Sequence, residues 1–120
     1  MKLEDDGYCF ACGKNNPEGL RVNWTVEGKT TKAEFIPSKK FQGFKNIVHG
    51  GIIASLLDEA MGRLAWKVYG DCVSAEIKVR FINPAKINEK LLIVGEIVNS
   101  SKRIIYARSE IKKEDGTKIA

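Results

Sequence analysis

Only one stretch of this chain has a helical period. From Ile52 to Tyr69 the apolar residues Ile52, Ile53, Leu56, Leu57, Ala60, Met61, Leu64 and Val68 recur at three- and four-residue spacing. The spacing predicts one long helix, ended at Gly70-Asp71. Apolar residues elsewhere mostly alternate with polar ones, as in half-buried strands. A lone helix among strands has to bury its apolar stripe against their sheet, and 120 residues suit one domain, 1–120, at the usual ~100 to 200 residues per domain.

The strand pattern fills in the rest. Leu20, Val22, Trp24 and Val26 alternate with Arg21, Asn23, Thr25 and Glu27, and a turn at Glu27-Gly28-Lys29 leads to a second strand from Thr31 to Ile36. Pro37, which cannot donate to a ladder, stops it. After the helix, Ala75, Ile77, Val79 and Phe81 alternate with Glu76, Lys78 and Arg80 until Asn83-Pro84. Two more strands are expected, Leu91 to Val98 and Ile104 to Lys112, on either side of a turn at Asn99-Lys102; a last turn falls at Asp115-Gly116. The order β, β, α and then at least three β, with short connections, suits an antiparallel sheet rather than βαβ crossovers. The expected class is α+β, an antiparallel sheet wrapped around one central helix, with residues 1–19 as an N-terminal segment.

Charge and cysteine content exclude several functions. Twenty Lys and Arg against fifteen Asp and Glu give +5, which favours anionic ligands such as a phosphate-bearing small molecule. The bases are scattered, with no basic run and no basic-aromatic interleaving, so no nucleic-acid partner is expected. The start is charged and no window nears the ~18 apolar residues of a membrane span, so a cytoplasmic protein without a membrane partner is expected. Three cysteines, an odd number, do not make a disulfide framework. Cys9-x-x-Cys12 is half of a zinc site, but the chain has no second pair, and no βαβ pattern surrounds it to suggest redox work. The expectation is no metal, with both residues packed as small side chains in an N-terminal loop and Cys72 buried near a strand start.

On a helical wheel a second group lies opposite the large apolar side chains: Gly51, Ala54, Ser55, Asp58, Gly62 and Ala65. Glycine inside a helix costs about 1 kcal/mol relative to alanine, so Gly62 suggests the close approach of a backbone or ligand. Val48-His49-Gly50-Gly51 leads into the first turn, where two glycines would let a ligand reach unpaired N–H groups at the positive end of the helix dipole. Two readings fit these residues. Either Asp58 is a solvated carboxylate and His49 a local cap, or the helix start and Asp58 serve an anionic or acyl ligand.

Phe41-Gln42-Gly43-Phe44-Lys45-Asn46-Ile47-Val48-His49-Gly50-Gly51, followed by Ala54-Ser55-Leu56-Leu57-Asp58-Glu59-Ala60-Met61, resembles the hotdog-fold acyl-CoA thioesterases of the phenylacetate-pathway type. Cys9-Phe10-Ala11-Cys12-Gly13 with Asn16-Pro17-Glu18-Gly19-Leu20 resembles the N-terminal signature of one branch, and Ser74 to Pro84 resembles the strand after the helix. The resemblance implies hydrolysis of an acyl-coenzyme A without a cofactor, by a homodimer or dimer of dimers with its sites at subunit interfaces. It also implies that the Gly50 N–H meets the oxyanion, that Asp58 is nucleophile or general base, and that Ser74 helps place water. Gln42, Asn46, His49 and Gly51 would be substrate-binding, and some of Lys39, Lys40, Lys45, Lys102 and Arg103 would meet the phosphates of coenzyme A. Asn46 stands where many relatives have glycine, and relatives run a full strand past the position of Ala120, so a short edge strand or a truncated chain is expected.

A non-catalytic acyl-CoA binding module on the same fold is the alternative, but a carboxylate beside a bound thioester would serve no purpose there. A hydratase would place a histidine against the acyl chain, whereas here Asp58 holds the thioesterase position. Gly50 and Asp58 are eight residues apart, about 12 Å along a helix, too far for one chain to bring both to the same carbonyl. Antiparallel helices from two subunits would bring them together.

Overall fold

The helix starts two residues before the expected Ile52 because His49 caps it. In the computed structural model, which describes residues 2–120, His49 Nδ1 accepts the Gly51 N–H at 2.8 Å and the His49 carbonyl accepts from Ile52 and Ile53. Helix α1 runs from Gly50 to Tyr69 and ends where Gly70, at φ +92°, donates its N–H to the Trp66 carbonyl. Strands β1 (Thr25–Glu27), β2 (Thr30–Phe35), β3 (Leu91–Ser100) and β4 (Ile105–Lys113) form one antiparallel sheet in chain order, with α1 inserted between β2 and β3. A 3-10 turn at Lys39–Phe41 precedes the helix. None of the helices is long and apolar enough to cross a membrane.

The apolar stripe of α1 does what its period requires. Leu56, Ala60 and Leu64 are fully buried, and Leu56 and Ala60 share one core with Leu91 and Ile93 of β3 and Ile111 of β4. A row of small residues crosses the sheet beneath the helix, Thr31 on β2 opposite Gly95 on β3, itself opposite Ser109 on β4. Thr31 Oγ1 donates to the Ala60 carbonyl at 3.0 Å and Ser109 Oγ to the Leu57 carbonyl at 2.9 Å. Gly95 lets the helix backbone come this close, since a Cβ there would lie 3.0 Å from Ala60 O. The helix is thus fixed in rotation as well as depth, which decides where Asp58 points.

Two expectations need correction. Leu20 and Val22 are buried as their alternation requires, but their N–H groups bond to Phe10 O and Ala11 O of the cysteine loop. With Arg21 at φ +54° the pleat is broken, so only Thr25–Glu27 of the first expected strand joins the sheet. The expected strand from Ala75 to Phe81 forms no ladder among the described residues. Its end is tied to the body by the N–H groups of Ile82 and Asn83, both donating to Ile119 O. Among the described residues the outer edge of β4 is met only at its far end, by Thr117 to Ala120, and a cleft of about 380 Å³ separates residues 76–82 from β4. A Cβ at Gly62 would have nothing within 4 Å among the described residues, so the small-residue face of the helix is open within one chain.

Candidate active site

The chain leaving α1 folds back along it, and two hydrogen bonds to Asp71 hold the return: Trp66 Nε1 to Oδ1 at 3.2 Å and the Leu3 N–H to Oδ2 at 3.1 Å. Three residues on, Ser74 Oγ donates to Asp58 Oδ1 at 2.6 Å. This pairs two residues nominated from the sequence. Asp58 is half-buried and Ser74 exposed, so the pair is open to solvent. On the same helix face Ser55 Oγ bonds back to the Gly51 carbonyl at 2.8 Å.

The loop before the helix is closed by its own hydrogen bonds. Gly43 N–H donates to Ile47 O and His49 N–H to Phe41 O, while Val48 N–H reaches Ala85 O. Gln42 Oε1 accepts the Asn46 N–H at 2.8 Å. Asn46 adopts φ +64°, a left-handed conformation that asparagine tolerates better than most residues. Gly43 is needed for space, because a Cβ would lie 3.2 Å from His49 Cα.

At the helix start the two glycines differ. The Gly51 N–H is taken by His49, whereas the Gly50 N–H has no hydrogen-bond partner among the described residues. The Phe81 ring lies beside Gly50, within 3.6 Å of where a Cβ would be. Phe81 is a neighbour the sequence reading did not single out, and its alternation with polar residues marked it only as a strand residue. Gln42, His49 and Gly51 line a shallow pocket of about 350 Å³ together with Lys40, a cation at the mouth of the site. Gly50 and Asp58 sit on one unbroken helix, so about 12 Å of axial rise separates them. The structure therefore gathers the nominated residues into two clusters, Asp58 with Ser74 and Gly50 with Gln42, Asn46, His49 and Gly51.

A thioesterase superfamily model matches residues 45–120, from the loop before the helix through the last strand. The chain belongs to the thioesterase superfamily. Similar to it are an uncharacterised protein of Schizosaccharomyces pombe, 30% identical over 95 residues, and mouse acyl-coenzyme A thioesterase 13, 26% identical over 74 residues. These alignments cover 75% and 60% of the chain, and in each case 53% of the relative. This thioesterase-superfamily chain thus spans about half the length of the curated relatives it matches. The crystal structure of zebrafish thioesterase superfamily member 2 superposes with a TM-score of 0.80 at 18% identity, covering 94% of this chain and 86% of that one. The fold is that of the hotdog thioesterases, one long helix packed on an antiparallel sheet.

Proposed function

We propose that this protein is an acyl-CoA thioesterase, which hydrolyses the thioester of an acyl-coenzyme A to a free acid and coenzyme A. The observation that carries this reading is the Ser74–Asp58 hydrogen bond on the same helix as an unpaired N–H at Gly50. Superfamily membership and the mouse acyl-coenzyme A thioesterase among its relatives support the reaction class.

In this reading Ser74 donates a hydrogen bond to the ionised Asp58 through Oδ1 and so has its lone pairs free to accept from a water. That water lies within reach of the unoccupied Oδ2, and Asp58 acts as general base. The water oxygen attacks the thioester carbonyl as Asp58 takes its proton. The Gly50 N–H, at the positive end of the helix, meets the developing oxyanion. The tetrahedral intermediate expels the thiolate of coenzyme A, which takes up the proton held by Asp58. Lys40, Gln42 and His49 form the entry for the nucleotide end, with Asn46 and Gly51 shaping the loop. Because Gly50 and Asp58 are about 12 Å apart on one helix, the carbonyl is bound between antiparallel helices of two subunits.

Thiol release from short, medium, long-chain and aryl acyl-CoA compounds tests the proposal. Turnover of at least one is expected; binding without turnover across the panel would leave a binding module. A single turnover in ¹⁸O-water should label the acid and leave Asp58 unlabelled, and label in the Asp58 carboxylate would make it the nucleophile instead.

A further inference from the structure

The cysteine loop of the N-terminal segment packs on the central helix, and what it meets there is a carboxylate. Gly13 N–H donates to Cys9 O at 2.8 Å and closes a tight turn across Cys9 and Cys12. Only glycine fits at position 13, where a Cβ would lie 2.4 Å from Cys9 N. Leu20 and Val22, donating to Phe10 O and Ala11 O, hold the loop against the body. Glu59 on α1 points into this turn, with Oε2 3.7 Å from Cys9 Sγ, and the donor atoms of Cys9, Cys12 and Glu59 all lie within 4.8 Å of one another. One helical turn further on, Arg63 Nη1 donates to Cys12 Sγ at 3.6 Å.

We propose that Cys9, Cys12 and Glu59 bind a zinc ion, with a water as fourth ligand, at a site distinct from the Asp58–Ser74 pair. Tetrahedral zinc with two thiolates and one carboxylate oxygen needs sulfur–sulfur separations of about 3.8 Å and sulfur–oxygen separations of about 3.5 Å, from the usual bond lengths. The ligand atoms, one pair at 3.7 Å and all within 4.8 Å, need to contract by no more than about 1.3 Å. Charge points the same way. Two thiolates and a carboxylate carry three negative charges, and Zn²⁺ with the Arg63 guanidinium carries three positive ones. Without a cation, half-buried Glu59 faces thiol S–H groups, which are weak donors. Mixed thiolate and oxygen ligands suit zinc better than magnesium or calcium.

Such a site gives the N-terminal segment a purpose that packing alone does not. It pins residues 9–13 to the helix at the residue directly after Asp58. Metal binding would displace the thiol protons, since burial, then hydrogen bonding and charge from Cys9 and Glu59, push the Cys12 thiol well above its ordinary range.

The test uses reduced, chelator-stripped protein titrated with zinc and, separately, with cobalt(II). One metal per chain is expected by elemental analysis, with cobalt(II) giving thiolate charge-transfer and tetrahedral d–d absorption. Cys9→Ser and Cys12→Ser should lose these bands, Glu59→Gln should bind at least about tenfold more weakly, and Cys72→Ser should bind like the parent. If Cys9→Ser or Cys12→Ser fails to fold, alkylation of the thiols in the folded parent protein should abolish uptake in its place. No uptake by the reduced parent protein would overturn the proposal, as would uptake unaffected by alkylation.

Discussion

Ser74 Oγ holds Oδ1 of Asp58 at 2.6 Å across sixteen residues of sequence, and it does so from a segment that is tied to the helix end through Asp71. One carboxylate oxygen is therefore held, and the other has no hydrogen-bond partner among the described residues. The helix carrying Asp58 cannot rotate freely either, because Thr31 and Ser109 bond to its Ala60 and Leu57 carbonyls from the sheet. The pair is oriented from both sides, by the sheet below and the returning chain above.

Asp58→Asn should leave folding and ligand binding intact while lowering turnover by roughly 100-fold or more, since a carboxamide is nearly isosteric but a poor base. Ser74→Ala should cost less, because solvent can replace a hydroxyl that positions water. The two losses should not add in the double variant, as expected for residues in direct contact. Steady-state thiol release on the three variants measures this, and a larger loss for Ser74→Ala than for Asp58→Asn would reverse the roles.

The seat beneath the helix makes a stability prediction with an internal control. Gly95→Ala places a Cβ 3.0 Å from the Ala60 carbonyl oxygen and 3.2 Å from its carbon, backbone that cannot move alone. It should cost about 1–3 kcal/mol by overpacking, read from urea unfolding. Gly62→Ala enters open space and should gain up to about 1 kcal/mol in helix propensity. If instead a second subunit packs over Gly62, that gain should disappear at protein concentrations where the dimer forms.

Those two glycines also show what periodicity reads and what it misses. The 3.6-residue pattern located α1 to within two residues, and the alternation in β2, β3 and β4 located the sheet, because both record which side chains are buried. Alternation does not record a hydrogen-bond partner. Ala75 to Phe81 has the pattern of a strand and no ladder among the described residues, and Leu20 and Val22 give their N–H groups to the cysteine loop. The site was partly legible for the same reason. Asp58 stood out as the lone acid on a small-residue face, whereas Ser74 was reached only through a family resemblance. Glu59 carried no signal at all, since its meeting with Cys9 depends on how a loop fifty residues earlier crosses the helix.

Stability should depend on pH through Cys12. Burial first, and then Cys9 and Glu59, raise its thiol above the ordinary value of 9.0, so the folded state keeps a proton that the unfolded chain releases as pH rises past about 9. This contribution is fully present below pH 9 and is lost above it. The urea midpoint of metal-free protein should fall between pH 8 and 10, and Cys12→Ala should fall less over the same range. Equal slopes for the two proteins would mean that Cys12 does not retain its proton.

Sharing of each active site between subunits follows from the helix itself. The oxyanion donor must lie within about 3 Å of the carbonyl oxygen and the base or its water similarly close to the carbon. Gly50 and Asp58, about 12 Å apart along α1, cannot meet that requirement in one chain. If two copies of α1 run antiparallel, the helix start of each lies opposite the second turn of the other, and the small residues around Asp58 leave room for substrate. Asp58→Asn removes the base, and Gly50→Val, whose side chain would enter the contact with Phe81, blocks the oxyanion donor. Each variant alone should be inactive. Co-expressed under different tags and purified as mixed dimers, they form one site that carries both defects and one that carries neither. Activity should therefore return to about half of the wild-type value per dimer. Mixed dimers confirmed by mass that remain inactive would show that each chain holds a complete site, and would require the helix start to serve some purpose other than holding the oxyanion.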